Sequence, residues 1–120
     1  MLGAVLACLG CALGEPIPAA VAVDVELVLA VDMSRSIDAG ERALQRAGYR
    51  AALTDPAFLA AVRSGVHGRI ALAYFEWSDK VHEESRIGWR IVDGEESAAA
   101  FAAAIPAGGT VYSLGTSISN

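Results

Sequence analysis

The chain has 120 residues, 54% of them hydrophobic, with nine Lys or Arg against fourteen Asp or Glu and a formal net charge of −5. That length suits about one domain with a core able to stand alone, and the apolar content excludes a disordered chain. No basic cluster exists to meet a phosphate backbone, which excludes nucleic acid as a partner.

Met1 to Gly14 is apolar and built of small residues. It is too short for a membrane span of about 20 residues and has the character of the apolar core of a secretory signal. Cleavage is expected near Gly14, after Ala12-Leu13-Gly14, or near Ala22, after Ala20-Val21-Ala22, although no Lys or Arg precedes the run. Residues 1–22 are therefore read as signal peptide and linker, with Pro16 and Pro18 marking the linker. This makes the protein secreted or periplasmic, with no stable membrane span once the signal is removed. Both cysteines, Cys8 and Cys11, lie in this leader, so its removal leaves no disulfide framework and no thiol chemistry.

Val23 to Val31 predicts the first strand, apolar on both faces after Glu26, as a central strand covered by helices on each side would be. Asp38-Ala39-Gly40-Glu41 is a capping box, and the helix it opens runs to about Leu53. Leu44, Ala47, Gly48 and Ala51 share one face of that helix, and Arg42, Gln45, Arg46 and Arg50 fall on others, an amphipathic pattern. Asp55-Pro56 starts a short second helix carrying Phe58, Leu59 and Val62 and stopping near Gly65.

Arg69 to Trp77 predicts the second strand and Ser78 to Ser85 a polar turn. Arg86 to Val92 predicts the third strand, with Ile87, Trp89 and Ile91 on one face. The short link pairs these two strands antiparallel. Glu95 to Ile105 is an alanine-rich helix ended by Pro106, and Gly108-Gly109 opens a loop with Thr110, Ser113 and Thr116. The order strand, helix, helix, strand, strand, helix predicts an open, Rossmann-like α/β fold: a mostly parallel sheet flanked by helices with one antiparallel edge strand.

The chemistry-bearing motif is Asp32-Met33-Ser34-Arg35-Ser36, at the end of the first strand. Ligands in open α/β sheets sit beyond the carboxyl ends of the strands. If the segment stays extended, alternate side chains point the same way, and Asp32, Ser34 and Ser36 converge. One carboxylate, a few hydroxyls and water suit Mg²⁺. An ion neutralised this weakly attracts a further carboxylate from a partner. The plainer reading makes Asp32 a turn cap and the serines helix caps. Glu76 and Asp79 follow the second strand and are read as a solvated turn, with a supporting role facing the site as the alternative; His67 and His82 are read as isolated structural or surface residues, and Trp77 and Trp89 as covers over core edges.

Leu27 through Ser36, Ile70 to Phe75, and Gly108-Gly109-Thr110 through Gly115-Thr116-Ser117-Ile118 together resemble the von Willebrand factor A (vWA) domain family. Leu44-Gln45-Arg46-Ala47-Gly48-Tyr49, His67-Gly68-Arg69-Ile70-Ala71 and Tyr74-Phe75-Glu76-Trp77 make the chain look more closely like an uncharacterised bacterial family of that type, largely secreted. The resemblance covers about residues 23–120, and it implies that these form the N-terminal portion of a vWA-like domain, incomplete at the C-terminus. It also implies a metal site of Asp32, Ser34, Ser36 and a loop threonine, Thr116, with Thr110 as the alternative. A final aspartate would lie beyond Asn120. Arg35 stands where the family often has glycine.

The function expected is a metal-ion-dependent, adhesion-type binding module that holds Mg²⁺ (or Mn²⁺ or Ca²⁺) and recognises an acidic group on a protein partner. The alternatives are a structural domain with a non-functional metal site and a metal-dependent hydrolase. Catalysis is not expected, because Ser34 stands where a strand-end-aspartate phosphatase carries its second acid. No Gly-x-x-x-x-Gly-Lys phosphate loop occurs, and Ser34 lacks the Gly-x-Ser-x-Gly turn of an esterase.

Overall fold

The computed structural model describes residues 20–34 and 36–109. Six elements follow in order: β1 (Glu26–Asp32), α1 (Ala39–Leu53), α2 (Pro56–Arg63), β2 (Ile70–Trp77), β3 (Val81–Val92) and α3 (Glu95–Ala104). The fold is α/β, with a three-stranded mixed sheet in the order β1-β2-β3. β1 runs parallel to β2, Glu26 opposite Ala71 through Asp32 opposite Trp77. β3 runs antiparallel to β2, from Ile70 opposite Val92 to Trp77 opposite Val81. Parallel strands need a crossover, and α1 and α2 supply it between β1 and β2.

Local chemistry sets the helix starts. The Asp38 carboxylate accepts from the Glu41 amide at 2.8 Å, and Glu41 accepts in return from the Asp38 amide at 3.0 Å. This is the reciprocal capping box expected from the sequence. Asp55 caps α2 by accepting from the Ala57 amide at 2.7 Å, with Pro56 in the first turn. Before α3, Ser97 reaches back to accept from the Asp93 and Gly94 amides at 2.9 and 3.2 Å.

The core lies between one face of the sheet and the helices. Val31 from β1 and Ile70, Leu72 and Tyr74 from β2 pack with Leu53, Leu59, Val62 and Phe101 from the helices. The intervening β2 residues behave differently: Ala71, Ala73 and Phe75 are half-buried and Trp77 is exposed. β1 alternates in the same way, its Val28 and Ala30 exposed beside half-buried Leu27 and Leu29.

Several sequence expectations are corrected here. β1 is an edge strand of the described sheet rather than a central one, and only its Leu27, Leu29 and Val31 face meets the core. β3 begins at Val81, so most of the segment read as a polar turn is strand; only Ser78–Lys80 bends. Ile87 is buried, whereas Trp89 is 55% exposed. The phase changes because Leu72 faces Arg90 while Tyr74 faces Ile87. One extra β3 residue sits in that interval, a bulge that breaks the two-residue alternation. Trp77 and Trp89 lie on the sheet face away from the core, where Val28, Ala73, Phe75 and Trp89 line a shallow depression. The α1 faces are reversed as well. Its buried residues are Arg42, Arg46 and Leu53, and Leu44 is 75% exposed.

Candidate functional site

Asp32 closes β1, and the Met33 amide still donates to the Trp77 carbonyl at 2.7 Å, so the ladder runs one residue past the strand. The Ser34 amide then turns back to donate to Asp32 Oδ1 at 2.9 Å. The Ile37 amide donates to the Ser34 carbonyl at 3.0 Å, just before Asp38 caps α1. The three motif residues are thus presented by a strand end and a tight turn, not by a continuous extended segment. Asp32 and Ser36 are exposed and Ser34 half-buried. Gln45, in the second turn of α1, donates to the Asp32 carbonyl at 3.4 Å. The structure brings Asp32 and Ser34 together and sets Ser36 in the same turn. Thr116 and Thr110 lie outside the described residues, as does Arg35.

Behind this turn lies a buried polar system of which the sequence offered only Glu76, and that as the lesser alternative to a solvated turn. Arg46 is 1% exposed and Glu76 0%. Arg46 Nε and Nη2 donate to the two Glu76 oxygens at 2.8 and 2.7 Å, a bidentate pair. The Tyr74 hydroxyl donates to Glu76 Oε2 at 2.7 Å, and the Glu76 amide donates to Ser85 Oγ, also at 2.7 Å. Ser85 in turn donates to the His82 carbonyl at 2.6 Å. Glu76 is therefore not a solvated turn residue but the most buried acid among the described residues. His82 is 9% exposed with Nε2 3.0 Å from Ser78 Oγ. His67 is exposed.

Three arginines four residues apart on α1 then hold the loop after α3. Arg50 Nη1 donates to the Pro106 carbonyl at 2.8 Å, Arg46 Nη1 to Gly108 at 2.9 Å and Arg42 Nε to Gly109 at 2.9 Å. Arg42 Nη1 also donates to the Ile37 carbonyl. Gly108 adopts φ +74°, a left-handed conformation that favours glycine. Gly109 approaches the first turn of α1 so closely that a Cβ there would overlap the Ala39 carbonyl. The one signal available in the sequence was the i, i+4, i+8 spacing of the arginines, which places them on one helix stripe.

Among the described residues, no three His, Cys, Asp or Glu side chains gather as a metal cluster. The donors at the β1 end are one carboxylate and two serine hydroxyls, a set of hard oxygens. Among the described residues, no helix is long and apolar enough to cross a membrane.

The family described as "Protein of unknown function (DUF1194)" matches residues 22–120. The chain belongs to this family. No curated protein and no solved structure matches it. The DUF1194 match takes in every described element, together with the Asp32 turn, the arginine stripe of α1 and the Gly108-Gly109 loop.

Proposed function

We propose that this DUF1194 chain is a vWA-type, metal-ion-dependent protein-binding module, exported to the periplasm or cell exterior. The observation that carries the reading is Asp32. It stands exposed at the carboxyl end of a strand paired parallel to β2, with the Ser34 amide fixing one carboxylate oxygen and the serine turn directly after it. In an open α/β sheet this is where ligands bind. Asp32, Ser34, Ser36 and Thr116 would hold Mg²⁺, or Mn²⁺ or Ca²⁺ in its place, and the bound ion would supply positive charge for a carboxylate of a protein partner. A single acid in the set leaves that charge under-neutralised, which favours recruitment of an acidic group over hydrolysis. No catalytic residue is assigned.

Isothermal calorimetry of the full chain with Mn²⁺ tests the reading. A binding heat that disappears in Asp32→Ala and weakens in Ser34→Ala supports it. A heat unchanged in Asp32→Ala contradicts it and favours the plainer role of the motif as a turn with a helix cap.

A further inference from the structure

The arginine stripe of α1 does more than fill space. Arg42 is 9% exposed and offers two nitrogens to two different chain segments. Nε donates to Gly109 in the loop after α3, and Nη1 to Ile37 in the turn that carries Ser34 and Ser36. Sixty-seven residues separate Arg42 from Gly109, so this one guanidinium ties the start of the domain to its far loop. The neighbouring arginine is held still in turn. Arg46 is gripped at Nε and Nη2 by Glu76, which leaves Nη1 aimed at the Gly108 carbonyl. The Gly109 contact with Ala39 closes the same joint from the backbone side.

We propose that Arg42 and Arg46, with Glu76 as their anchor, are positioning residues of the Asp32 site. They clamp the Gly108-Gly109 segment against the first turn of α1 and so fix the serine turn that presents Ser34 and Ser36. Their influence on the ion rests on the metal-binding reading above; the clamp itself does not. Partners that orient metal ligands without touching the metal commonly change affinity by about ten- to a hundredfold. A second effect works in the opposite direction. A guanidinium beside a cation site repels the cation, so charge alone makes the loss of Arg42 favourable to binding. The two effects separate by substitution. Lysine keeps the charge but lacks the planar fork that reaches two carbonyls at once.

The test uses the full chain and the variants Arg42→Lys, Arg42→Gln and Gly109→Ala, with Mn²⁺ as the probe. Calorimetry reads the dissociation constant, and hydrogen exchange reads the amides of residues 36–39 and 107–109, with the β2 amides as the control for folding. The clamp predicts faster exchange in both segments for all three variants, with β2 protection kept. It also predicts that Mn²⁺ affinity falls about tenfold or more in each, including Arg42→Lys. Tighter binding in Arg42→Gln with wild-type affinity in Arg42→Lys overturns the proposal in favour of simple charge repulsion. Exchange that rises in only one segment also overturns it. A wild-type chain that gives no Mn²⁺ heat but couples the two segments supports the clamp and overturns the metal reading alone.

Discussion

A guanidinium 1% exposed and a carboxylate 0% exposed both lose their hydration on folding, and Arg46 and Glu76 recover it from each other. The bidentate geometry, the Tyr74 hydroxyl and the Gly108 carbonyl occupy much of the hydrogen-bonding capacity of the two groups. Such a pair adds little over a well-packed apolar substitute, yet removing one member strands the other. Glu76→Ala is therefore expected to destabilise the fold by about 3–5 kcal/mol, measured by urea denaturation. The double substitution Arg46→Met with Glu76→Leu should recover most of that loss. Recovery would show that the pair is held for position rather than stability, since the apolar double variant cannot hold Gly108. A polar residue at the seventh of eight positions in a strand otherwise rich in apolar residues was visible in the sequence. Its partner was not, because the two stand thirty positions apart in the chain and nothing local marks the match.

Elements joined by near neighbours were legible; those joined at a distance were not. Asp38 with Glu41, and Asp55 with Pro56, announce helix starts because cap and capped amide lie within three residues. The stripe that packs α1 was not legible, because its partners are carbonyls of residues 106–109 and carry no side-chain signature. The bulge in β3 was equally hidden, since Ile87, Trp89 and Ile91 alternate perfectly in sequence. The approach to β1 shows another distant joint. Asp24 accepts from the His67 amide at 2.8 Å and from the Gly68 and Arg69 amides at 2.9 and 3.3 Å, tying the chain before β1 to the turn before β2. Gly68 makes that turn at φ +68°. The His67 amide above all, helped by Arg69 and Gly68, holds the Asp24 carboxyl below its ordinary value of 3.8. A lowered folded value means that the unfolded chain takes up the proton first as pH falls. The stabilisation is complete above the ordinary aspartate range and is lost as pH drops below 3.8 and through the lowered folded value. Asp24→Asn should therefore melt below the wild type at pH 7, with the gap between the two narrowing in strong acid. A gap independent of pH would assign the loss to the turn rather than to the charge.

At the scale of the whole molecule, the α/β order and the antiparallel β3 edge follow the sequence pattern, and one face of the sheet carries the core. The proposed site lies at the carboxyl end of β1; that Asp32 closes a strand was legible because the apolar run of β1 leads directly into it. Asp32 also lies beside Trp77 in the parallel register, and the two strands join there through the Met33 amide. This neighbour supplies a direct optical test of the central claim, that the Asp32 turn binds a hard cation. Tb³⁺ takes oxygen ligands much as Ca²⁺ does and emits when an adjacent indole is excited. Titration of the full chain with Tb³⁺ should give saturable emission on tryptophan excitation, displaced by Mg²⁺ or Mn²⁺, much reduced in Trp77→Phe and absent in Asp32→Ala. Emission that persists in Asp32→Ala, or that depends on Trp89 instead of Trp77, would place the cation elsewhere and contradict the account.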